Sequence, residues 1–176
     1  MKIRKIASIC RESGRASIID HVDGDGVVHQ WITDGHAAYP VTGMPYLEAE
    51  HLPQVFELTK KQAEEMNIEA IPCPLSINFS DAIANETQCE DEPIGIVFCG
   101  HHLMPLSASG ETWLIDRDYL SPITAEYPDV LFYLRSEGSA QYFAVKAGLM
   151  LVGIIMPYGD TERIGELCST IGRQLI

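Results

Sequence analysis

Apolar residues recur at helical spacing from the start of the chain. Ile3, Ile6, Ala7, Ile9 and Cys10 fall on one side of a helical wheel, and Lys2, Arg4, Lys5, Ser8, Arg11 and Glu12 fall on the other. Gly14 stands where such a helix would stop, since glycine takes the left-handed conformation of a C-cap at no steric cost. The pattern then changes to β-branched runs. "ASIIDHV" (16–22) predicts a strand, "DGDG" (23–26) a hairpin turn and "VVHQWITD" (27–34) the returning strand. Gly35 turns the chain into a third strand, "HAAYPVTG" (36–43).

The far end repeats this order. "DRDYLSPITAEY" (116–127) carries Tyr119, Leu120, Ile123 and Tyr127 at helical spacing, with Pro122 in the first two turns, where proline costs least. Strands follow at "DVLFYLRS" (129–136), "AQYFAVKA" (140–147) and "LMLVGIIMP" (149–157), separated by "EGS" and Gly148. Both ends therefore read α-β-β-β, and the expectation is a structural duplication. Between them, 46–70 predicts a helix or two broken at Pro53, and 71–93 predicts loop around one short strand, "LSINFS". "IGIVFCGHH" (94–102) reads as one strand, followed by "GETWLI" (110–115). From Asp160 the chain reads as an amphipathic helix with Ile164, Leu167, Cys168, Ile171 and Leu175 on its apolar face. The expected architecture is a single α+β domain. It divides into a first unit at 1–43, an insertion at 44–93, a second unit at 94–159 and a C-terminal helix at 160–176.

Composition narrows the class. A chain of 176 residues that is 46% apolar can bury one real core and is too apolar to be disordered. The longest apolar run, Leu149 to Met156, suits a buried strand and is far short of a bilayer span. The basic N-terminus is followed by no signal-type apolar segment, and the five cysteines are odd in number, scattered and without a CxxC. These features predict a cytoplasmic protein with no disulfide framework and no membrane partner. The net charge of −13 is uneven. Residues 44–93 hold eleven acids against two bases, so this insertion is an acidic segment. An acidic chain repels nucleic acid at long range unless its cations cluster, and the clearest cluster is Lys2, Arg4, Lys5 and Arg11 on the first helix.

The stretch "WLIDRDYLSPITAEYPDVLFYLRSEGSAQYFAVKAGLMLVGIIMPYG" resembles the closing segment of a bacterial DNA sliding-clamp domain. The likeness rests on a short strand, a helix opened by Tyr119-Leu120, and strands closed by Met156-Pro157. The first half resembles the opening of such a domain, and the chain also resembles small proteins of phages and mobile elements of gut clostridia. A clamp domain is built from two similar units, so the resemblance implies the same duplication. It further implies a non-enzymatic accessory protein, a homo-oligomer, and contact with DNA or a replication protein through Lys2, Arg4, Lys5 and Arg11. A clamp subunit strings two or three such domains together, whereas this chain has length for one.

A different chemistry is offered by "CGHHLMP" (99–105). It resembles the Cys-Glu-His-His zinc motif of GTP cyclohydrolase I, with Gly100 in place of the glutamate. Carried over by position, the likeness implies that Cys99 and His102 bind zinc, Cys168 supplies a third ligand, and His101 acts on the substrate of a zinc-dependent hydrolase. As one continuous strand, 94–102 would instead put His101 and His102 on opposite faces, and Gly100 and Pro105 read as turn residues. "DGDG" lacks the twelve-residue ligand series of a calcium loop and Asp34-Gly35-His36 falls at a tight turn, so neither is read as a site. The leading expectation is thus a clamp-like protein without a cofactor. The alternatives are the zinc hydrolase and a regulatory or inhibitory protein that binds through its acidic segment.

Overall fold

The computed structural model describes residues 2–92 and 94–159; the helix expected over 160–176, and Cys168 with it, lies outside the described residues. Helix α1 (Lys2–Ser13) buries Ile6, Ala7, Ile9 and Cys10 as the wheel predicts. It also buries Lys2, which the wheel places on the wet face. The next three strands, β1 (Arg15–Val22), β2 (Val28–Thr33) and β3 (Ala37–Pro40), form the expected antiparallel meander. The DGDG turn is closed by Asp23, whose Oδ1 accepts from the N–H groups of Asp25 and Val27, each at 2.9 Å.

The middle of the chain departs from expectation. A 3-10 turn at Ala49–His51 runs into α2 (Leu52–Val55), so Pro53 opens a short helix and does not break a longer one. Helix α3 (Lys60–Glu65) starts at a capping box of Thr59 and Gln62. The backbone then becomes extended at Met66 and enters an unexpected strand, β4 (Asn67–Ile71). Its cause is non-local: β4 pairs in parallel with β1, from Arg15↔Asn67 to Ile19↔Ile71. The expected strand at "LSINFS" does not form. Its Asn78 and Ser80 carbonyls accept from the Arg135 guanidinium and not from a ladder. Two-residue strands form further on, β5 (Thr87–Gln88) and β6 (Glu90–Asp91).

The single strand expected over 94–102 is also corrected. Chain reversal at Cys99-Gly100 splits it into β7 (Ile96–Phe98) and β8 (His101–Ala108), which pair Phe98↔His101 and Val97↔His102. Both turn residues have positive φ, 50° and 87°, the requirement of the two-residue turn that matches strand twist. Pro105 lies within β8, not in a turn. Its carbonyl accepts from Glu92 N–H, so its missing N–H falls on the same edge, near the end of β6, where no ladder partner is required. Strand β9 (Glu111–Asp116) returns along the other edge of β8. The helix expected over 116–127 is a 3-10 turn at Arg117–Leu120 followed by a single α-turn, α4 (Ser121–Thr124). Pro128 bars the residue before it from helical backbone and so ends the element early. The closing meander, β10 (Leu131–Glu137), β11 (Ala140–Ala147) and β12 (Met150–Ile155), is as expected.

These elements form two sheets. The larger runs β4-β1-β2-β3-β12-β11-β10-β5, antiparallel throughout except for β4 and β1. Its two meanders meet where β3 pairs with β12, Ala38↔Ile154 and Ala37↔Ile155. The smaller sheet is built around β8, with β6 and β7 on one edge and β9 on the other. One face of the large sheet carries the main core, in which Ile32, Tyr39, Phe143 and Val145 meet α1, α4 and the inner residues of β8 and β9. Gly153 lets α4 approach: a Cβ there would lie 2.3 Å from Ile123 Cδ1 and 3.2 Å from its Cγ1, and Ile123 is wholly buried.

The opposite face carries a second core of Ile19, Trp31, Phe79, Tyr142, Leu151 and Ile154, closed by residues 77–82. Arg135 holds that segment down. It is wholly buried and donates to the carbonyls of Asn78 (3.0 Å), Ser80 (2.8 Å) and Asp81 (3.1 Å) and to Glu86 Oε2 (2.9 Å). Glu86 also takes a hydrogen bond from buried Lys146. The acidic segment is thus not a separate module. Three of its acids are partnered by bases from the rest of the chain, Glu57 by Arg4, Glu69 by Arg15 and Glu86 by Arg135 and Lys146. Among the described residues no helix is long and apolar enough to cross a membrane.

Candidate functional site

Two stretches far apart in sequence converge at the junction of β3 and β12. The first is the turn Asp34-Gly35-His36. Asp34 is buried, and its Oδ1 accepts from the N–H groups of His36 and Ala37, each at 2.9 Å. Thr33 Oγ1 accepts from Gly35 N–H at 2.9 Å, which completes the turn. These bonds push the His36 side chain outward, where its ring stacks on Tyr119 at 6.3 Å. The second stretch is the β7–β8 hairpin, which sets His101 at the start of β8 beside Asp116 at the end of β9.

His101 Nδ1 lies 2.6 Å from Asp116 Oδ2. An ionised carboxylate can only accept, so Nδ1 carries a proton, and in the neutral ring the lone pair is on Nε2. Asp116 is buried, and its other oxygen is fixed by the N–H of Asp118 at 3.1 Å. The imidazole is thereby held in one tautomer and one orientation. Its ring packs on Tyr158 at 5.3 Å. His36, His101, Asp116, Tyr119 and Tyr158 line a common cavity of about 270 Å³, closed by Met156, Pro157 and Gly159.

The ground beneath the cavity is strongly polar for a buried region. Asp34 Oδ2 is buried without a hydrogen bond of good geometry, and the Tyr119 hydroxyl is a polar neighbour. Burial, and then the Asp34 charge, push the Tyr119 phenol well above its ordinary pKa. The same two causes push the Cys10 thiol up to about 12. Tyr39 donates to the Tyr119 carbonyl at 2.9 Å and locks the 3-10 turn in place. Tyr119, Tyr39 and Cys10 therefore stay protonated at neutral pH and act as donors or packing groups, not as bases.

The zinc motif is not assembled by this geometry. Cys99 is exposed at the tip of the hairpin turn, and His101 and His102 point to opposite faces of β8. His102 Nδ1 faces Asp118 at 3.6 Å, away from the cavity. Among the described residues, the group of three metal-type donors already within 4.8 Å of one another is Glu48, Glu50 and His51, all exposed; neither Cys99 nor His102 belongs to it. Sequence reading singled out His101 but missed its partners. Asp116 is fifteen residues away and its role follows from the β8–β9 register, Leu103↔Asp116, which the assumed single strand had concealed.

The basic residues of α1 are not free either. Lys2 is buried 4.0 Å from Glu126, and burial pushes its pKa down. Arg4 pairs with Glu57 at 3.3 Å, Lys5 donates to the Ser121 carbonyl at 3.0 Å, and Arg11 donates to the Ala7 carbonyl at 3.2 Å. Lys2 and Arg4 thus face acids, whereas Lys5 and Arg11 meet only neutral carbonyls, and Arg4, Lys5 and Arg11 remain exposed. No family model matches this chain, and no curated protein and no solved structure matches it.

Proposed function

We propose that the chain is a non-enzymatic, sliding-clamp-like accessory protein that works through contacts with other macromolecules, of the kind carried by phages and mobile elements. The observation that supports this is the strand order β1-β2-β3-β12-β11-β10. Each half is a helix or helical turn followed by a three-stranded meander, and the halves join antiparallel at their last strands, as in a duplicated unit. The large sheet ends in β4 on one side and the two-residue β5 on the other, and on this reading copies of the chain assemble through such edges. Lys2 is buried, so retention on DNA draws on encirclement together with the exposed Arg4, Lys5 and Arg11.

Light scattering after size exclusion, together with retention on circular DNA, tests the reading. The expected result is an oligomer that stays on closed circles and is lost when they are linearised. A monomer at all concentrations, with no retention at low salt, overturns it. One observation favours a second reading: His101, oriented by Asp116, shares a cavity with His36. That pair suits metal-free acid–base hydrolysis, with His101 as base and His36 as acid. A panel of ester and phosphodiester substrates would then show activity that His101→Ala and Asp116→Asn both remove. An inactive wild-type chain, or activity that survives both variants, ends that reading.

A further inference from the structure

The segment "HVDGDGVVH" (21–29) places one histidine on each side of the DGDG turn, and the hairpin register sets them opposite one another, His21↔His29. On the other edge of β1, the parallel register ends at Ile19↔Ile71, and two residues further on Cys73 lies beside His21. Residues two apart in a strand share a face. His21 and His29 on β1 and β2, with Cys73 just past the end of β4, thus form a row on the face that carries Ile71, Ile19 and Trp31.

Two of the three donor atoms are close together, and His29 stands one side-chain movement away. Cys73 Sγ lies 3.9 Å from His21 Nδ1, and the two imidazole centroids are 6.5 Å apart. A tetrahedral ion holding sulfur at about 2.3 Å and nitrogen at about 2.0–2.1 Å sets S···N near ~3.6 Å and ring centroids near ~5 Å. His21 is seated against Phe79 at 5.5 Å, whereas His29 is exposed, so closing the remaining distance takes a shift of the His29 and Asp23 side chains together. His29 Nε2 is 2.8 Å from Asp23 Oδ2. That bond leaves Nδ1 to face an ion, in the way a carboxylate commonly orients a metal-bound imidazole. A cavity of about 450 Å³ lined by His21, Asp23 and His29 adjoins the row, and another of about 410 Å³ is lined by His21, Asp23 and Cys73. They supply a route in and room for a fourth ligand.

We infer that this row is a binding site for a divalent transition-metal ion of the zinc class, held by Cys73, His21 and His29 with Asp23 behind His29. One thiolate and two imidazoles are a borderline-soft set that selects such ions over calcium or magnesium. The site is distinct from the Cys99 motif and stands whether or not the chain forms rings. A thiol must lose its proton to bind the ion, so binding weakens as pH falls.

Cobalt titration of the full chain, stripped with chelator, tests the inference. One equivalent should bind with a thiolate-to-cobalt charge-transfer band in the near ultraviolet. Cys73→Ser should abolish the band, His21→Ala and His29→Ala should each weaken binding at least tenfold, and Asp23→Asn should weaken it about tenfold to a hundredfold. Cys99→Ser should leave the band unchanged. Circular dichroism of each variant separates lost binding from lost fold, and exposed His29 makes His29→Ala the safest variant on that count. Absence of the band in excess cobalt, its survival in Cys73→Ser, or its loss in Cys99→Ser overturns the assignment.

Discussion

Arg135→Met keeps a long apolar stem and deletes the charged fork. In the folded chain that fork meets Glu86 at 2.9 and 2.7 Å and the carbonyls of Asn78, Ser80 and Asp81. Removing one partner of a buried ion pair costs about 3–5 kcal/mol, because the other charge stays behind without compensation. Two features hold the loss to the lower end. Lys146 still neutralises Glu86, and Ser80 and Asp81 are exposed, so their carbonyls regain water once the segment lifts. The expected loss is about 3 kcal/mol, or a fall in Tm of roughly 6–12 °C for a chain of this size. Part of it should be local. Phe79 covers Trp31 at 5.0 Å, so lifting of residues 77–82 exposes that indole. In a Trp113→Phe background, urea unfolding is followed in parallel by Trp31 emission and far-ultraviolet circular dichroism. The wild-type transitions should coincide, whereas in Arg135→Met the emission should shift red at lower urea than the loss of secondary structure. Arg135→Lys restores the charge but not the fork and should recover a minor part of the loss. A loss below about 1 kcal/mol with unchanged Trp31 emission would refute the reasoning.

Three further outcomes are expected. Burial works to raise Glu86, but hydrogen bonds from Lys146 and Arg135 and their charges outweigh it and hold the carboxyl below its ordinary range. Its contribution is therefore complete above the unfolded value of about 4.3 and is lost as pH falls through the lower folded value; denaturation midpoints should drop there, and Glu86→Gln should flatten that acid limb. Burial lowers Lys2 despite Glu126, so folding disfavours its charged form, and stability should rise with pH between the folded value and the unfolded one of about 10.4. Lys2→Met should raise stability at neutral pH by about 0.5–1 kcal/mol and remove that rise; a destabilised variant counts against the argument. Cys99 holds a left-handed conformation at φ 50°, which asparagine tolerates better. Cys99→Asn should shift the denaturation midpoint upward by about 0.5–1 kcal/mol, and an unchanged midpoint would argue that the turn is not strained.

The outer meanders were legible because each is a local object. The turns at DGDG, Gly35 and Gly148 carry their own chemistry, and β1–β2–β3 and β10–β11–β12 follow from neighbouring residues alone. Where the structure departed from expectation, the deciding partner was distant in sequence. "NIEAI" becomes β4 because β1, some fifty residues earlier, offers it an edge. "LSINFS" is denied a ladder because buried Arg135, more than fifty residues later, takes its carbonyls. The Cys99-Gly100 reversal was half legible: Gly100 reads as a turn residue, but cysteine is uncommon in a left-handed turn position, so "CG" lacks the hairpin signal that "NG" or "DG" would carry and 94–102 reads as one strand.

The same division runs through charge and chemistry. The sequence by itself determined the α+β class, the two helix-and-meander ends and the apolar face of α1, and it singled out His101 but not His36. It displayed an acidic middle and a basic first helix as opposite surfaces. The tertiary structure decided that some of those acids face bases from elsewhere, Glu57 the Arg4 of the first helix and Glu86 the Arg135 and Lys146 of the closing meander. It also decided which histidines meet which carboxylates, His101 with Asp116 through the β8–β9 register and His29 with Asp23 through the DGDG turn. Periodicity and turn residues act over a few positions and can be read in order along the chain. Strand register and buried ion pairs depend on which distant segments meet, and that is set by the packing of the whole core.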